Sequence, residues 1–229
     1  MKSKSLSVPE IIRNLNPVTE QFGLLSQNSG QMQIPDLAQD NAAVHDSYRK
    51  KSFPVGKIRR FIEPGPIVLV SSLWKGERDI MTMGWHTVME FSPSLIGCVI
   101  ASANHSFELI RKAKECVINI PESFLAQQVV GIGNCSGKTV DKFAHFGLTP
   151  QAADKVKASL IRECYANLEC KVVDTRLLNK YNFFILEVVK AHVAVSPEYP
   201  RTLHYRGDGM FMVSGESLDL HKQFKLENL

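Results

Sequence analysis

The chain has 229 residues, which is enough to bury a substantial core, and one domain with an extension is the economical count. Hydrophobic residues make up 44% and charged residues 22%, a balance that excludes a disordered chain and gives no sign of a membrane protein. The net charge is +4 without a long basic block; Lys50-Lys51 and Arg59-Arg60 are isolated pairs, so nucleic-acid binding is not expected.

The five cysteines at 98, 116, 135, 164 and 170 are odd in number and show no CxxC spacing. Neither a disulfide framework nor a zinc knuckle is indicated, and a reducing compartment fits them best. No apolar run approaches the roughly 18 residues that cross a bilayer. Lys2 and Lys4 are not followed by the apolar stretch of a secretory signal, so no membrane association is expected and the cytoplasm is the expected location.

Residues 1–48 are rich in glutamine and asparagine, nearly free of aromatics, and carry scattered apolar residues. They read as an N-terminal extension or arm preceding a domain over 49–229. Ser7 with Pro9 starts one short helix, which Asn16-Pro17 ends. A mobile tail and an arm laid across a partner subunit are both open readings.

From Phe53 the pattern turns β-rich. Ile67–Val70, Ile80–Met83, Leu95–Ala101 and Cys116–Ile120 are short apolar runs bounded by Gly, Pro, Ser or charges, as strands buried on both faces are. Phe107 and Ile110 follow Ser106 on one helical face, with Ser106 as the candidate cap. Two short helices are predicted over Glu122–Val130 and Val140–Phe146, around a GIGNCSGK loop. In Cys164–Val172 the even positions are apolar and Asn167, Glu169 and Lys171 are polar, which predicts a half-buried strand. Phe183–Val195 is a second long run, and Leu203–Val213 folds back through Arg206-Gly207-Asp208-Gly209 as a hairpin. Many strands, few short helices and no strand-helix-strand rhythm predict a mainly β (α+β) barrel rather than a doubly wound sheet.

Two segments carry a pattern that points to a ligand. Thr82-Met83-Gly84-Trp85-His86-Thr87 closes a predicted strand with a glycine, an indole and hydroxyls; main-chain groups beside a glycine can pair with the polar edge of a flat heterocycle. Trp85 reads either as core or as a ring packed on a ligand or a second subunit. Ser102-Ala103-Asn104-His105-Ser106 opens the helix with amides, hydroxyls and an imidazole, a setting that suits a phosphate as well as an ordinary cap. The glycines of Gly131–Gly137 do not make a dinucleotide fingerprint, because position 136 is Ser and the preceding segment reads as helical. The seven histidines show no metal spacing, so no metal site is expected. Without a GxSxG elbow, hydrolysis has no support, and Glu90, Glu108, Glu163, Glu169 and Glu187 read as surface or strand-edge charges.

By the order and content of these two segments, together with Cys135-Ser136-Gly137 and Asp141-Lys142-Phe143, the chain resembles the flavin reductase and flavoredoxin family of FMN-binding split β-barrels from about Phe53 to about Val213. The resemblance implies noncovalent FMN, its ring edge along Thr82, Met83, Gly84, Trp85, His86 and Thr87, and its phosphate at Ser102, Ala103, Asn104, His105 and Ser106. Relatives often carry Arg in the phosphate turn where this chain has Asn104 and His105, which leaves His105, Arg111 and Lys142 as cation candidates. The implied activity is an oxidoreductase that passes electrons from NADH or NADPH, or a redox partner, through FMN to an acceptor such as free flavin, a redox protein or an oxygenase. A homodimer is implied, with no catalytic side chain needed, because the electron chemistry belongs to the flavin. An FMN-binding electron carrier without enzyme activity and a cofactor-free dimerisation module are the alternatives. Cys135 reads as either a reactive thiol or an inert one.

Overall fold

The computed structural model describes residues 48–56, 58 and 65–219. The expected arm, Tyr48 excepted, and its helix after Ser7 lie outside the described residues.

Eight antiparallel strands form one sheet: β1 (Lys50–Phe53), β2 (Val68–Trp74), β3 (Glu77–Met83), β4 (His86–Glu90), β5 (Leu95–Val99), β6 (Glu115–Ile120), β9 (Ala166–Asp174) and β10 (Phe183–Ala194). Their order is β3-β2-β6-β9-β10-β5-β4, with β1 beside β10. One edge of the long β10 is divided between two partners. Phe183–Glu187 pairs with β5, and Ala191–Ala194 pairs with β1. The short pair β7 (Pro150–Gln151) and β8 (Leu160–Ile161) lies apart from the main sheet, as does the hairpin β11 (Leu203–Gly207) and β12 (Met210–Val213). Gly207, Asp208 and Gly209 all have positive φ, the backbone that the glycine-rich turn requires.

Side-chain alternation divides the core into two layers. Val68 and Val70 of β2, Met81 and Met83 of β3, Cys116, Ile118 and Ile120 of β6, and Phe184, Leu186 and Val188 of β10 fill one cluster. Helix α1 (His105–Ala113) adds Phe107 and Ile110 to it. Leu69 and Ile80, on the opposite faces of β2 and β3, belong to a second cluster. That layer is covered by a 3₁₀ turn (Ser123–Leu125), α2 (Ala126–Gly133) and α3 (Lys142–His145) through Leu125, Val129, Ile132 and Phe143. A final helix, α4 (Leu178–Tyr181), leads into β10. The three glycine-rich residues Gly131–Gly133 are thus the end of α2, and only 134–141 form the connecting turn.

The half-buried reading of Cys164–Val172 needs correction. Asn167 and Glu169 are as buried as their apolar neighbours, because residues 153–161 fold over that face. Each is satisfied there. Asn167 Nδ2 donates to Asn119 Oδ1 at 2.7 Å and to the Ile161 carbonyl at 3.0 Å. Glu169 accepts the backbone N–H groups of Asp154, Lys155 and Val156 and lies 2.7 Å from His192 Nε2. Glu169 is therefore an interior carboxylate and not a surface charge. Burial alone pushes its pKa up, but the Asp154 and Lys155 amides and His192 outweigh this and hold it below the usual value. Lys50 ties β1 to the same region, donating to Asn167 Oδ1 at 2.5 Å and the Arg162 carbonyl at 3.2 Å, and burial lowers its pKa to about 8.

Candidate functional site

The end of β3, the start of α1 and the turn after α2 enclose a cleft of about 340 Å³. Met81, Thr82, Ala103, Asn104, His105, Gly133, Asn134, Cys135 and Lys142 are among its walls. A second hollow of about 620 Å³ begins where the first ends, sharing Thr82, Gly133 and Asn134. It runs between Gly84, Trp85 and Val130 to Tyr205 and Phe211 of the β11–β12 hairpin. The two adjoining hollows together make a groove with shared walls, polar at the helix start and aromatic at its far rim.

Asn104 organises the polar end. Its extended backbone and side chain cap α1, with Oδ1 accepting the Ser106 N–H at 3.1 Å. Ser106 is not the cap. It is the second residue of the helix and fully buried, and its hydroxyl donates to Asp79 Oδ2 at 2.6 Å. Among the described residues no acceptor takes the backbone N–H of Ala103 or His105, so these donors remain for an anion in the cleft.

Asp79, which the sequence reading passed over, joins the three walls. Its carboxylate is buried on β3, receives Ser106, and lies 3.2 Å from Lys142 Nζ of α3. A Cβ on Gly137 would collide with this carboxylate, so the glycine lets the 134–141 turn rest directly on it. Its signal was an acidic residue leading directly into the apolar run Ile80–Met83, where burial demands a partner. Lys142 also donates to the Ile80 carbonyl at 2.6 Å. Its ammonium is thus held inside the protein by one carbonyl and a buried counter-charge, so it reaches the cleft as a wall rather than as a free cation. Arg111 grips Glu108 at 2.7 and 3.0 Å, and His105 Nε2 lies 2.9 Å from Glu77 Oε1.

The residues of 82–87 separate into two groups. Thr82, Gly84 and Trp85 line the groove. Thr82 is oriented by donating to the Val129 carbonyl at 2.6 Å, and a Cβ on Gly84 would come within 2.8 Å of the Ile67 side-chain end, which would have to shift. Trp85 is 75% exposed, which rules out its reading as a core residue. Met83 is in the core, Thr87 is exposed on β4, and His86 lies 2.7 Å from the Pro66 carbonyl through Nε2. Because a carbonyl only accepts, that nitrogen carries the proton in the neutral ring. Burial lowers the His86 pKa, against the opposing pull of the Pro66 carbonyl. Ser102 lies on the outer side of the turn. Cys135 is half-buried in the cleft wall, with Sγ 3.9 Å from the Ile132 carbonyl.

Outside the groove, Asp154, Glu169 and His192 bring three ligand-type atoms within 4.8 Å. The Glu169 oxygens are already occupied by backbone amides and His192, so this cluster acts as a fastener for residues 153–157. No helix among the described residues is long and apolar enough to cross a membrane.

An antiparallel barrel opened by the division of β10, with a groove from a helix start to an aromatic rim, defines the split-barrel class. The flavin reductase like domain model matches residues 59–213, and the chain belongs to that family. A solved FMN-binding domain of a flavin reductases-like enzyme from Shewanella baltica aligns with a TM-score of 0.71 at 24% identity, over 76% of this chain and 99% of that one. Flavoredoxin of Desulfovibrio vulgaris aligns with a TM-score of 0.63 at 23% identity, over 68% of this chain and 89% of its own. An uncharacterised protein of Archaeoglobus fulgidus is 33% identical over 111 residues, 48% of this chain; the match spans 63% of that relative's length.

Proposed function

We propose that the protein is an FMN-binding oxidoreductase of the flavin reductase type, taking electrons from NADH or NADPH or from a redox partner. The observation that carries this reading is the adjacency of the two hollows: Thr82, Gly133 and Asn134 belong to both the polar cleft and the aromatic hollow. A flat heterocycle with a phosphorylated side chain needs such a pair of joined spaces.

In this reading the free amides of Ala103 and His105, with the Asn104 side chain, receive the phosphate. Thr82, Gly84 and Trp85 receive the ring. The groove walls fit such a ligand: the polar end offers donors without a carboxylate facing it, since Asp79 is covered by Ser106, Lys142 and Gly137. FMN, when bound, supplies the electron chemistry, and the chain supplies binding, orientation and exclusion of water. Tyr205 is the one titratable side chain on the aromatic hollow's wall among the described residues, so no acid or base is assigned. The exposed rim favours a homodimer with the groove near the interface, and the cytoplasm is the proposed location.

The test is calorimetry and visible absorption with FMN, followed by anaerobic mixing of the flavin-loaded protein with NADH and with NADPH. Saturable binding with a shifted flavin spectrum and rapid bleaching by one nicotinamide are expected. Absence of binding at several salt concentrations sinks the reading. Binding without reduction by either nicotinamide makes the protein an electron carrier.

A further inference from the structure

A third hollow, about 310 Å³, lies on the other side of the same helix-start turn. It shares Ala103, Asn104 and His105 with the polar cleft. One wall is a face of α1 that presents His105, Glu108, Leu109 and Lys112 at helical spacing. Trp74 and Glu77, flanking the β2–β3 turn, form the second, and Lys138 closes it from the 134–141 turn.

We propose that this hollow is a subsite for the adenosine monophosphate arm of a dinucleotide. The inference rests on the flavin reading above and extends it. Its volume is at the lower end of small-molecule sites, about 300 to 1,000 Å³, which suits half a dinucleotide and not a whole one. Trp74 is half-buried and offers an indole to an adenine ring.

The charges favour a phosphate near Lys138. Glu108 is held by Arg111 at 2.7 Å and Lys112 at 3.8 Å, and Glu77 Oε1 lies 2.9 Å from His105 Nε2. Lys138 is exposed and has no ion-pair partner among the described residues. Glu77, with 55% of its side chain exposed, is an acceptor of the kind that takes ribose hydroxyls. Since the polar cleft and this hollow share Ala103–His105, the pyrophosphate of FAD can pass over the turn with its flavin half in the cleft. A nicotinamide dinucleotide would instead enter the hollow by its adenosine arm alone while FMN fills the cleft.

Two sources share this chemistry, FAD and a reduced nicotinamide dinucleotide, and the two arms of the experiment separate them. In the first, FMN and FAD are titrated into the flavin-free full chain and its Lys138→Ala and Trp74→Ala variants. In the second, NADH and NADPH are titrated into the FMN-loaded proteins. The subsite predicts that Lys138→Ala weakens one dinucleotide by about threefold to tenfold and Trp74→Ala by about tenfold, with FMN affinity unchanged. An effect confined to FAD identifies a flavin dinucleotide, and one confined to NADH or NADPH identifies the electron donor. FMN bound normally with neither dinucleotide affected by Lys138→Ala, whose exposed side chain leaves the fold undisturbed, overturns the subsite alone. No binding of FMN by the unmodified chain overturns the flavin reading and the subsite together.

Discussion

The Ser106 hydroxyl donates to Asp79 Oδ2 at 2.6 Å, and this one bond fastens the start of α1 to the middle of β3. The other oxygen of the same carboxylate faces Lys142 at 3.2 Å, so a single buried side chain sets the relative position of a helix start, a strand and the turn at Gly137. A buried ion pair is a poor source of net stability, because desolvation offsets its attraction. Its use here is geometric, in holding the polar end of the groove open.

Asp79→Asn is therefore expected to cost more than a surface change. The amide can still receive Ser106, but Lys142 loses its counter-charge inside the protein. Breaking one side of a buried pair typically costs about 3–5 kcal/mol. Urea unfolding of the flavin-free protein measures this, and a loss below about 1 kcal/mol would show the pair to be hydrated in solution. Lys142→Met in the Asp79→Asn background should recover part of the loss, since the unpaired ammonium is then gone.

Asn104 separates architecture from binding. Asn104→Ala removes the α1 cap and should lower the stability of the flavin-free protein by about 1 kcal/mol. Asn104→Asp restores a capping oxygen but adds a carboxylate to the cleft. Its flavin-free melting temperature should return to that of the unmodified protein, while the stabilisation given by added FMN stays small, because a ligand stabilises in proportion to its binding. Full FMN stabilisation of Asn104→Asp would move the phosphate away from this turn.

How far the residues announce this arrangement depends on the range of the forces involved. The hairpin at 206–209 was legible because a tight turn needs positive φ, and glycine is the local mark of that need. The strands of the core were legible from their short apolar runs. The cap was not, because Ser102, Asn104 and Ser106 are all competent and lie within five positions. What removes Ser106 from the choice is Asp79, 27 residues earlier, which claims its hydroxyl. Lys142 reads as an available cation until the sheet brings it the Ile80 carbonyl, which takes one donor, and the Asp79 carboxylate, which neutralises its charge. Glu169 read as a surface charge for the same reason: the amides of 154–156 that hold it are supplied by a loop folded back over β9.

Acid sensitivity should have two limbs. His86 has its folded pKa depressed from 6.5 by burial, so the neutral ring is the form that the fold holds. A depressed folded pKa contributes stability above the unfolded value, and that contribution is lost as pH falls through the folded value. The first limb thus begins below about pH 6.5. Glu169, lowered from 4.5 despite the opposing effect of burial, gives a second limb that begins below its unfolded value and runs through the lower folded one. Melting temperatures recorded from pH 8 to pH 3 check this. His86→Gln should flatten the upper limb, and Glu169→Gln the lower one. A Glu169→Gln profile superimposable on that of the unmodified protein below pH 5 would refute its assignment.

The aromatic rim supplies the last expectation. Trp85 is 75% exposed, Tyr205 53% and Met210 64%, and they lie beside or along the open end of the groove. Side chains of this size grouped at one place are costly to leave in water, and a symmetric second copy is the cover most available to them. Light scattering should therefore return about twice the chain mass of 25.6 kDa for the unmodified protein. Trp85→Asp places a charge at the proposed contact and should shift the mass toward one chain. Because the indole contributes nothing to any of the three core clusters, the secondary structure seen by far-ultraviolet circular dichroism should persist in that variant. FMN affinity is the discriminating measurement: if the groove is completed by the second copy, the monomeric variant binds FMN more weakly, and loss of affinity tracks the monomer fraction as protein concentration is varied. A Trp85→Asp protein that stays dimeric would place the contact elsewhere on the barrel, and an unmodified protein that is monomeric at every accessible concentration would remove the second copy from the site.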